Sequence, residues 1–305
     1  MSAVSLDKIT KTYNKGKTVA VNEMSFSVDK SELFGLIGPD GAGKTSIFRV
    51  LTTLLLPDGG SAIVDGCDVV KGYKEIRARI GYMPGKFSLY QDLTIEENLN
   101  FFATLFNTTV KDNYDLIKEI YIQIEPFKTR RAGKLSGGMK QKLALCCALI
   151  HKPVVLFLDE PTTGVDAVSR KEFWDMLKRL KEQGITILVS TPYMDEATLC
   201  DRIALIQTGK ILSIDTPADI VKAYSGKLYE VKSDTIHKLP ADLRNYEDTL
   251  SCFAFGEYMH ITFKNDKTDN SASLLNYLTE KGHSGLELKQ IEPTIEDCFI
   301  KLLKQ

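Results

Sequence analysis

An apolar run at residues 33–37 leads into Gly38-Pro39-Asp40-Gly41-Ala42-Gly43-Lys44-Thr45, and a helical pattern begins at Lys44. No other feature constrains the fold as strongly. Between a buried strand and a helix start, glycines at this spacing let successive backbone N–H groups curl around phosphate oxygens, and the helix terminus adds partial positive charge. In such a loop Lys44 is expected to reach the β and γ phosphates and Thr45 to ligate Mg2+, with Ser46 part of the same cofactor-binding run. The competing reading is a purely structural glycine turn, which does not require the flanking strand and helix.

A second apolar run, residues 154–158, ends in Asp159-Glu160, as a buried parallel strand delivering acids to its C-terminal edge should. Asp159 then faces the metal and Glu160 is the candidate general base for an attacking water. Alone, an Asp-Glu pair reads as a helix cap or turn; together with the phosphate loop it reads as a phosphoryl-transfer site. Short β-branched runs alternate with helical patterns to about residue 225: 33–38 then 44–55, 154–158 then 169–182, and 185–190 then 195–201. That alternation implies a parallel sheet with crossover helices. The opening segment looks like antiparallel strands at one flank, and about 93–151 reads as a helical subdomain.

With 305 residues the chain exceeds the about 100 to 200 of one domain, so two units are expected: 1–224, and 225–305 after the Ser225-Gly226 linker signal. The second reads strand, helix, two strands joined at Gly256-Glu257, helix, strand, helix, a ferredoxin-like α+β order. Thirty-nine basic against forty acidic side chains give a net charge of −1, which argues against nucleic acid as a partner. The apolar runs 143–150 and 154–158 are far short of the roughly 20 residues that span a bilayer. Six cysteines without a CxxC pair, and a start with no apolar signal segment, point to a reduced, cytoplasmic setting.

Leu135-Ser136-Gly137-Gly138-Met139-Lys140-Gln141 opens another helix with a serine and two glycines, a second potential anion cradle. Here the chain resembles the ATP-binding subunits of ABC transporters, whose signature is LSGGQ-like, and the resemblance runs from residue 4 to about 224. It implies a P-loop ATPase core and ATP with Mg2+ as cofactors. It also implies a head-to-tail dimer in which Ser136, Gly137 and Gly138 bind the γ-phosphate held by the opposite subunit. Tyr13 matches the aromatic that stacks on adenine, and Gly164-Val165-Asp166 matches the D-loop through which the subunits sense each other. GYMP with LYQDLTIEENL, then PTTGVD and YMDEA before CDRIAL, resembles the ATPases of ABC-2 type exporters of drugs and lipids. The implied partners are membrane permease subunits and a second ATP-binding subunit, at the inner face of the cell membrane. The resemblance places the permease groove around Phe87, Leu89 and Tyr90 with the helical insert, and local core is the equal alternative for those three side chains.

Two positions depart from the family pattern. Gly85 stands where the Q-loop glutamine belongs, and Pro192 stands where the switch histidine belongs. Pro84-Gly85 suits a tight turn, and Thr191-Pro192 suits an N-cap followed by proline at the first helical position. Gln91 and the four histidines (His151, His237, His260, His283) offer no obvious replacement. The expectation is slow hydrolysis at this chain's own site, in a heterodimer with unequal sites or in a slow homodimer. A non-transport ABC ATPase and a nucleotide-sensing module are the alternative functions.

Overall fold

The chain opens on two long strands, β1 (Ser2–Tyr13) and β2 (Thr18–Asp29), paired antiparallel. A computed structural model describes residues 2–265 and 270–304. β3 (Leu33–Ile37) follows, buried at every position, and then the loop into α1 (Lys44–Leu51). β4 (Gly59–Val64) and β5 (Cys67–Asp68) complete a four-stranded antiparallel sheet of order β2-β1-β4-β5. α2 (Tyr73–Arg79) leads to β6 (Ile80–Met83). Three helices come next: α3 (Ile95–Leu105), α4 (Tyr114–Tyr121) and α5 (Gly137–Leu149). β7 (Val155–Asp159), α6 (Ala167–Glu182), β8 (Thr186–Thr191), β9 (Arg202–Gln207), β10 (Lys210–Asp215) and α7 (Pro217–Lys222) follow.

The second sheet has the order β10-β9-β3-β8-β7-β6 and is parallel except where β10 turns back on β9. β3, β7 and β8 carry no exposed residue, as strands covered on both faces must be. Successive side chains point to opposite faces. Phe34, Leu36, Phe157 and Leu188 join one core with Ile47 and Phe48 of α1 and with Ile9, Val21 and Met24 of the antiparallel sheet. Phe48 meets Phe157 edge-on at 5.8 Å, and Phe26 stacks on Phe34 at 5.3 Å. α6 buries Phe173, Trp174, Leu177 and Leu180, an i, i+1, i+4, i+7 face.

The α3 helix starts at a capping box, the Thr94 hydroxyl receiving the Glu97 N–H and the Glu97 carboxylate receiving the Thr94 N–H. Asn98, fully buried one residue on, accepts from Tyr90 N and donates to Tyr90 O and Thr94 O at 3.0 and 2.9 Å. That side chain pins the segment between β6 and α3. The segment expected to be helical at 195–201 is instead a 3-10 turn, Met194–Leu199. Thr191, expected as a helix cap, ends β8, and Tyr193 rather than Thr191 occupies the cap of that turn. Its hydroxyl still accepts the Tyr193 N–H at 3.1 Å.

The chain divides into two compact units, Met1–Ile220 and Val221–Lys304. The second contains β11 (Leu228–Lys232), α8 (Leu239–Asn245), β12 (Thr249–Phe255), β13 (Tyr258–Phe263), α9 (Asn270–Glu280), β14 (Glu287–Ile291) and α10 (Ile295–Leu302). Its sheet is antiparallel throughout with order β12-β13-β11-β14, the split β-α-β arrangement. Buried polar groups here are paired: His260 Nδ1 with Asp297 at 2.7 Å, and His283 between Asp242 at 2.9 Å and Ser233 at 2.9 Å.

Candidate nucleotide-binding site

Strand order brings the candidate residues together at one edge of the parallel sheet. β8 lies between β3 and β7, with Ile37 opposite Thr191 and Asp159 opposite Ser190. The loop that leaves β3 and the acids that leave β7 therefore flank the end of one strand, at the C-terminal edge where open α/β sheets form their ligand crevices. The loop itself is sterically set. Gly41 and Gly43 have φ of 79° and 106°, in the region L side chains avoid. A Cβ on Gly43 would sit 2.3 Å from the Ala20 carbonyl, and one on Gly38 would sit 2.3 Å from that of Ile206. Gly43→Ala is accordingly expected to destabilise the chain by about 3 kcal/mol, combining backbone strain with an overpacked contact. A denaturant midpoint unchanged from the unsubstituted chain would contradict this.

Lys44 is 3% exposed. Its ammonium donates to Gly38 O at 2.7 Å and Pro39 O at 3.0 Å, and it lies 3.1 Å from Glu160 Oε1. Loop lysine and candidate base are thus already a pair. Pro39 is half-buried, Asp40 is exposed beside it, and Ala42 is buried with its N–H on Pro39 O at 3.2 Å. A cavity of about 190 Å3 is lined by Ala20, Gly41, Gly43, Lys44, Thr45, Ser46 and Glu160. Tyr13, at the end of β1, hydrogen-bonds Ser46 Oγ through its hydroxyl at 3.1 Å, which ties the expected adenine platform to the loop helix.

Asp159 is 2% exposed and accepts from Ser190 Oγ at 2.7 Å. Glu160 turns into the left-handed region, φ 51°, a conformation that costs about 1–2 kcal/mol for a residue with a side chain. Its N–H is held by Ser190 O and Ser190 Oγ, both at 3.0 Å. Thr45 and Asp159 offer hard oxygen donors, which suits Mg2+. Among the described residues no group of three or more His, Cys, Asp or Glu could hold a metal unaided.

The signature is placed apart from this cavity. Ser136 caps α5, its hydroxyl receiving the Met139 N–H, and Ser136 and Gly137 are exposed. A Cβ on Gly138 would meet Ser169 Oγ at 3.0 Å, so Gly138 packs on the start of α6, while one on Gly137 would lie 3.5 Å from Gly164 O. Asp166 caps α6; the Ser169 N–H, then its hydroxyl, hold the Asp166 carboxyl below its ordinary range. Ser136, Gly137, Gly138 and Asp166 do not line the phosphate-loop cavity of their own chain.

The two unusual positions border the acids and the phosphate loop. A Cβ on Gly85 would stand 3.0 Å from Asp159 O and 3.8 Å from Glu160 Cβ. Pro192 follows Thr191, whose carbonyl accepts the Gly38 N–H at 3.3 Å. Gln91 lies against Gly133 instead, its carbonyl accepting the Gly133 N–H at 2.9 Å. His151 bonds Ile80 O at 2.9 Å and stacks on Phe106, and burial pushes its pKa down. His237 is exposed in the second unit, which also holds His260 and His283.

Sequence reasoning overlooked two groups. Ser190 bridges both acids, and Glu196, buried behind the switch position, receives the Thr191 hydroxyl and lies 3.5 Å from Arg170. Ser190 is the serine of the Ser-Thr pair before the switch position and Glu196 lies five residues after its threonine, which was the available signal.

Residues 21–163 match the family model described as ABC transporter. The chain is 36% identical over 306 residues to the "Probable multidrug ABC transporter ATP-binding protein YbhF" of Escherichia coli K12, covering 99% of itself and 52% of that protein. It thus spans about half the length of the first curated relatives it matches. It is 34% identical over 295 residues to the Nod factor export ATP-binding protein I of Burkholderia lata, covering 94% and 93% of the two chains. The ATP-binding cassette MJ0796, solved as a dimer in a post-hydrolysis state with ADP and Pi, aligns at TM-score 0.63 and 25% identity, over 70% of this chain and 98% of that one. With the phosphate loop, the terminal acids and the signature serine set on this fold, the chain belongs to the ABC transporter ATP-binding family.

Proposed function

We propose that this chain is an ATP-driven subunit of an exporter, binding ATP and Mg2+ at the phosphate loop and lending its signature to a second ATP-binding subunit. The observation that carries the reading is the pairing of Lys44 with Glu160 at the mouth of the glycine loop, 3.1 Å apart. It sets the charge for a triphosphate and the base for a water within one contact. Gly38 to Ser46 would cradle the phosphates, Tyr13 would support the adenine, Thr45 and Asp159 would hold the cation, and Glu160 would orient the attacking water. Mg2+, when bound, neutralises charge on the β and γ phosphates.

Exposed Ser136 and Gly137, outside their own chain's cavity, support a trans role in a head-to-tail dimer, with Gly138 and Asp166 beside them. A groove of about 700 Å3, lined by Met83, Pro84, Leu89, Phe102, Phe106 and His151 among others, supports docking of a permease helix. Of the three apolar residues expected there, Leu89 lines it and Phe87 and Tyr90 do not. No described helix is long and apolar enough to cross a membrane. Membership of the ATP-binding family favours separate permease subunits as the transport path, with this chain at the inner membrane face. The names of the relatives above, multidrug transport and Nod factor export, favour export.

Gly85 and Pro192 remove two groups that would touch the transferring phosphoryl group, and the fold stays intact around both. The site is therefore read as binding-competent and slow, in a heterodimer whose other chain supplies the faster site. The purified chain is expected to bind ATP with Mg2+ while releasing phosphate about 100-fold more slowly than the assembled complex. Rapid turnover by the chain alone, abolished in Glu160→Gln, would remove the slow-site part. Failure to recover the chain with membranes and permease subunits would favour a remodelling or sensing ATPase instead.

A further inference from the structure

The two acids at the end of β7 share one neighbour. Ser190, on β8 directly opposite Asp159, is fully buried. A serine hydroxyl has one proton to give and two lone pairs. Its proton goes to Asp159 Oδ1 at 2.7 Å, and its oxygen receives the Glu160 N–H at 3.0 Å. The same N–H also reaches Ser190 O at 3.0 Å. Among the described residues, no other side chain donates to Asp159. Glu160 meanwhile holds a left-handed backbone, φ 51°, which neighbouring groups must stabilise.

A carboxylate with one oxygen fixed from the strand side has a defined orientation for its second oxygen. A residue whose N–H is anchored in an unusual conformation has a defined Cβ direction. One hydroxyl controls both. In this chain that control matters more than usual, because Gly85 brings no side chain to Asp159 and Glu160, and Pro192 brings neither an imidazole nor an N–H.

We propose that Ser190 is a positioning residue for the metal side of the nucleotide site: its hydroxyl sets the orientation of Asp159 toward the cation and the direction of Glu160 toward the water. This rests on the nucleotide-site reading above. The loop glycines and Lys44 grip phosphate without Asp159, so the effect is confined to metal-dependent steps.

The test uses the purified full chain with Ser190→Ala and Ser190→Thr. ATP affinity is measured in EDTA, Mn2+ affinity of the ATP-bound chain is measured by paramagnetic resonance titration, and thermal unfolding is followed without ligand. Loss of a group that orients a metal ligand typically lowers metal affinity about 10-fold to 100-fold. Ser190→Ala is expected to weaken Mn2+ binding at least about 10-fold, with metal-free ATP affinity within about twofold, and Ser190→Thr to recover most of the loss. Unchanged Mn2+ affinity in Ser190→Ala overturns the proposal. So does an equal loss of metal-free ATP binding together with a lowered melting temperature, the mark of a merely structural serine. If the threonine methyl prevents folding, the alanine variant with its EDTA arm decides. A wild-type chain that binds ATP neither with nor without Mn2+ overturns the nucleotide-site reading itself, and this inference with it.

Discussion

Lys44→Ala is expected to weaken ATP binding by about 100-fold or more while the chain stays folded. The ammonium sits 2.7 and 3.0 Å from the Gly38 and Pro39 carbonyls and 3.1 Å from Glu160, almost wholly out of solvent. A hydrogen bond to a charged group contributes about 1.5–3 kcal/mol. Two such bonds exchanged onto β and γ phosphate oxygens therefore account for at least about a hundredfold in affinity. Alanine also leaves Glu160 facing the phosphates with no counter-charge, which adds repulsion. Glu160 is a quarter exposed, so water relieves much of that penalty in the nucleotide-free chain. Titration with a fluorescent ATP analogue, alongside a melting curve, measures the two effects separately. ATP affinity within threefold of wild type in a folded Lys44→Ala chain would exclude the phosphate-loop assignment.

The second large effect runs in the opposite direction. Installing the family residues in the double variant Gly85→Gln, Pro192→His is expected to raise phosphate release by the isolated chain about 100-fold. Gly85 does not use a left-handed φ, so a side chain is allowed there. The cost is a Cβ 3.0 Å from Asp159 O, which must yield by a few tenths of an ångström. A glutamine side chain would start 3.8 Å from Glu160 Cβ. Histidine at 192 places an imidazole after Thr191, whose carbonyl already holds the Gly38 N–H. A preorganised donor to a developing phosphoryl charge contributes about 10²–10³ in rate. Adding Glu160→Gln to the double variant should erase the gain. A double variant no faster than threefold over wild type would show that residues 85 and 192 are not what limits this site.

Much of this was legible in the residue order. The phosphate loop depends on neighbours in the chain: an apolar strand, three glycines and a proline in a turn, then a lysine opening a helix. The split β-α-β order of the second unit was equally readable, because each strand and helix carries its own periodicity and Gly256-Glu257 marks the hairpin. The sequence was misleading at Thr191-Pro192. A threonine before proline is a good helix start by local chemistry, yet β8 continues through Thr191 because Thr191 pairs with Ile37 of β3 and its carbonyl accepts the Gly38 N–H. The 3-10 turn then begins only after Tyr193. Gln91 could be set aside from spacing alone, but its contact with Gly133 could not be foreseen.

By itself the amino-acid order determined which groups this protein has for chemistry: a glycine cradle, a loop lysine, two acids at a strand end, and a serine-glycine helix start. Each is encoded within a few adjacent residues, where backbone sterics and helix-end charge act directly. Only the tertiary structure decided what those groups touch. Lys44 and Glu160 are 116 positions apart in the chain and 3.1 Å apart in space, and Ser190 reaches both acids, because β8 is inserted between β3 and β7. That insertion follows from burying three strands side by side with both faces covered, a long-range packing choice that no local stretch of sequence records.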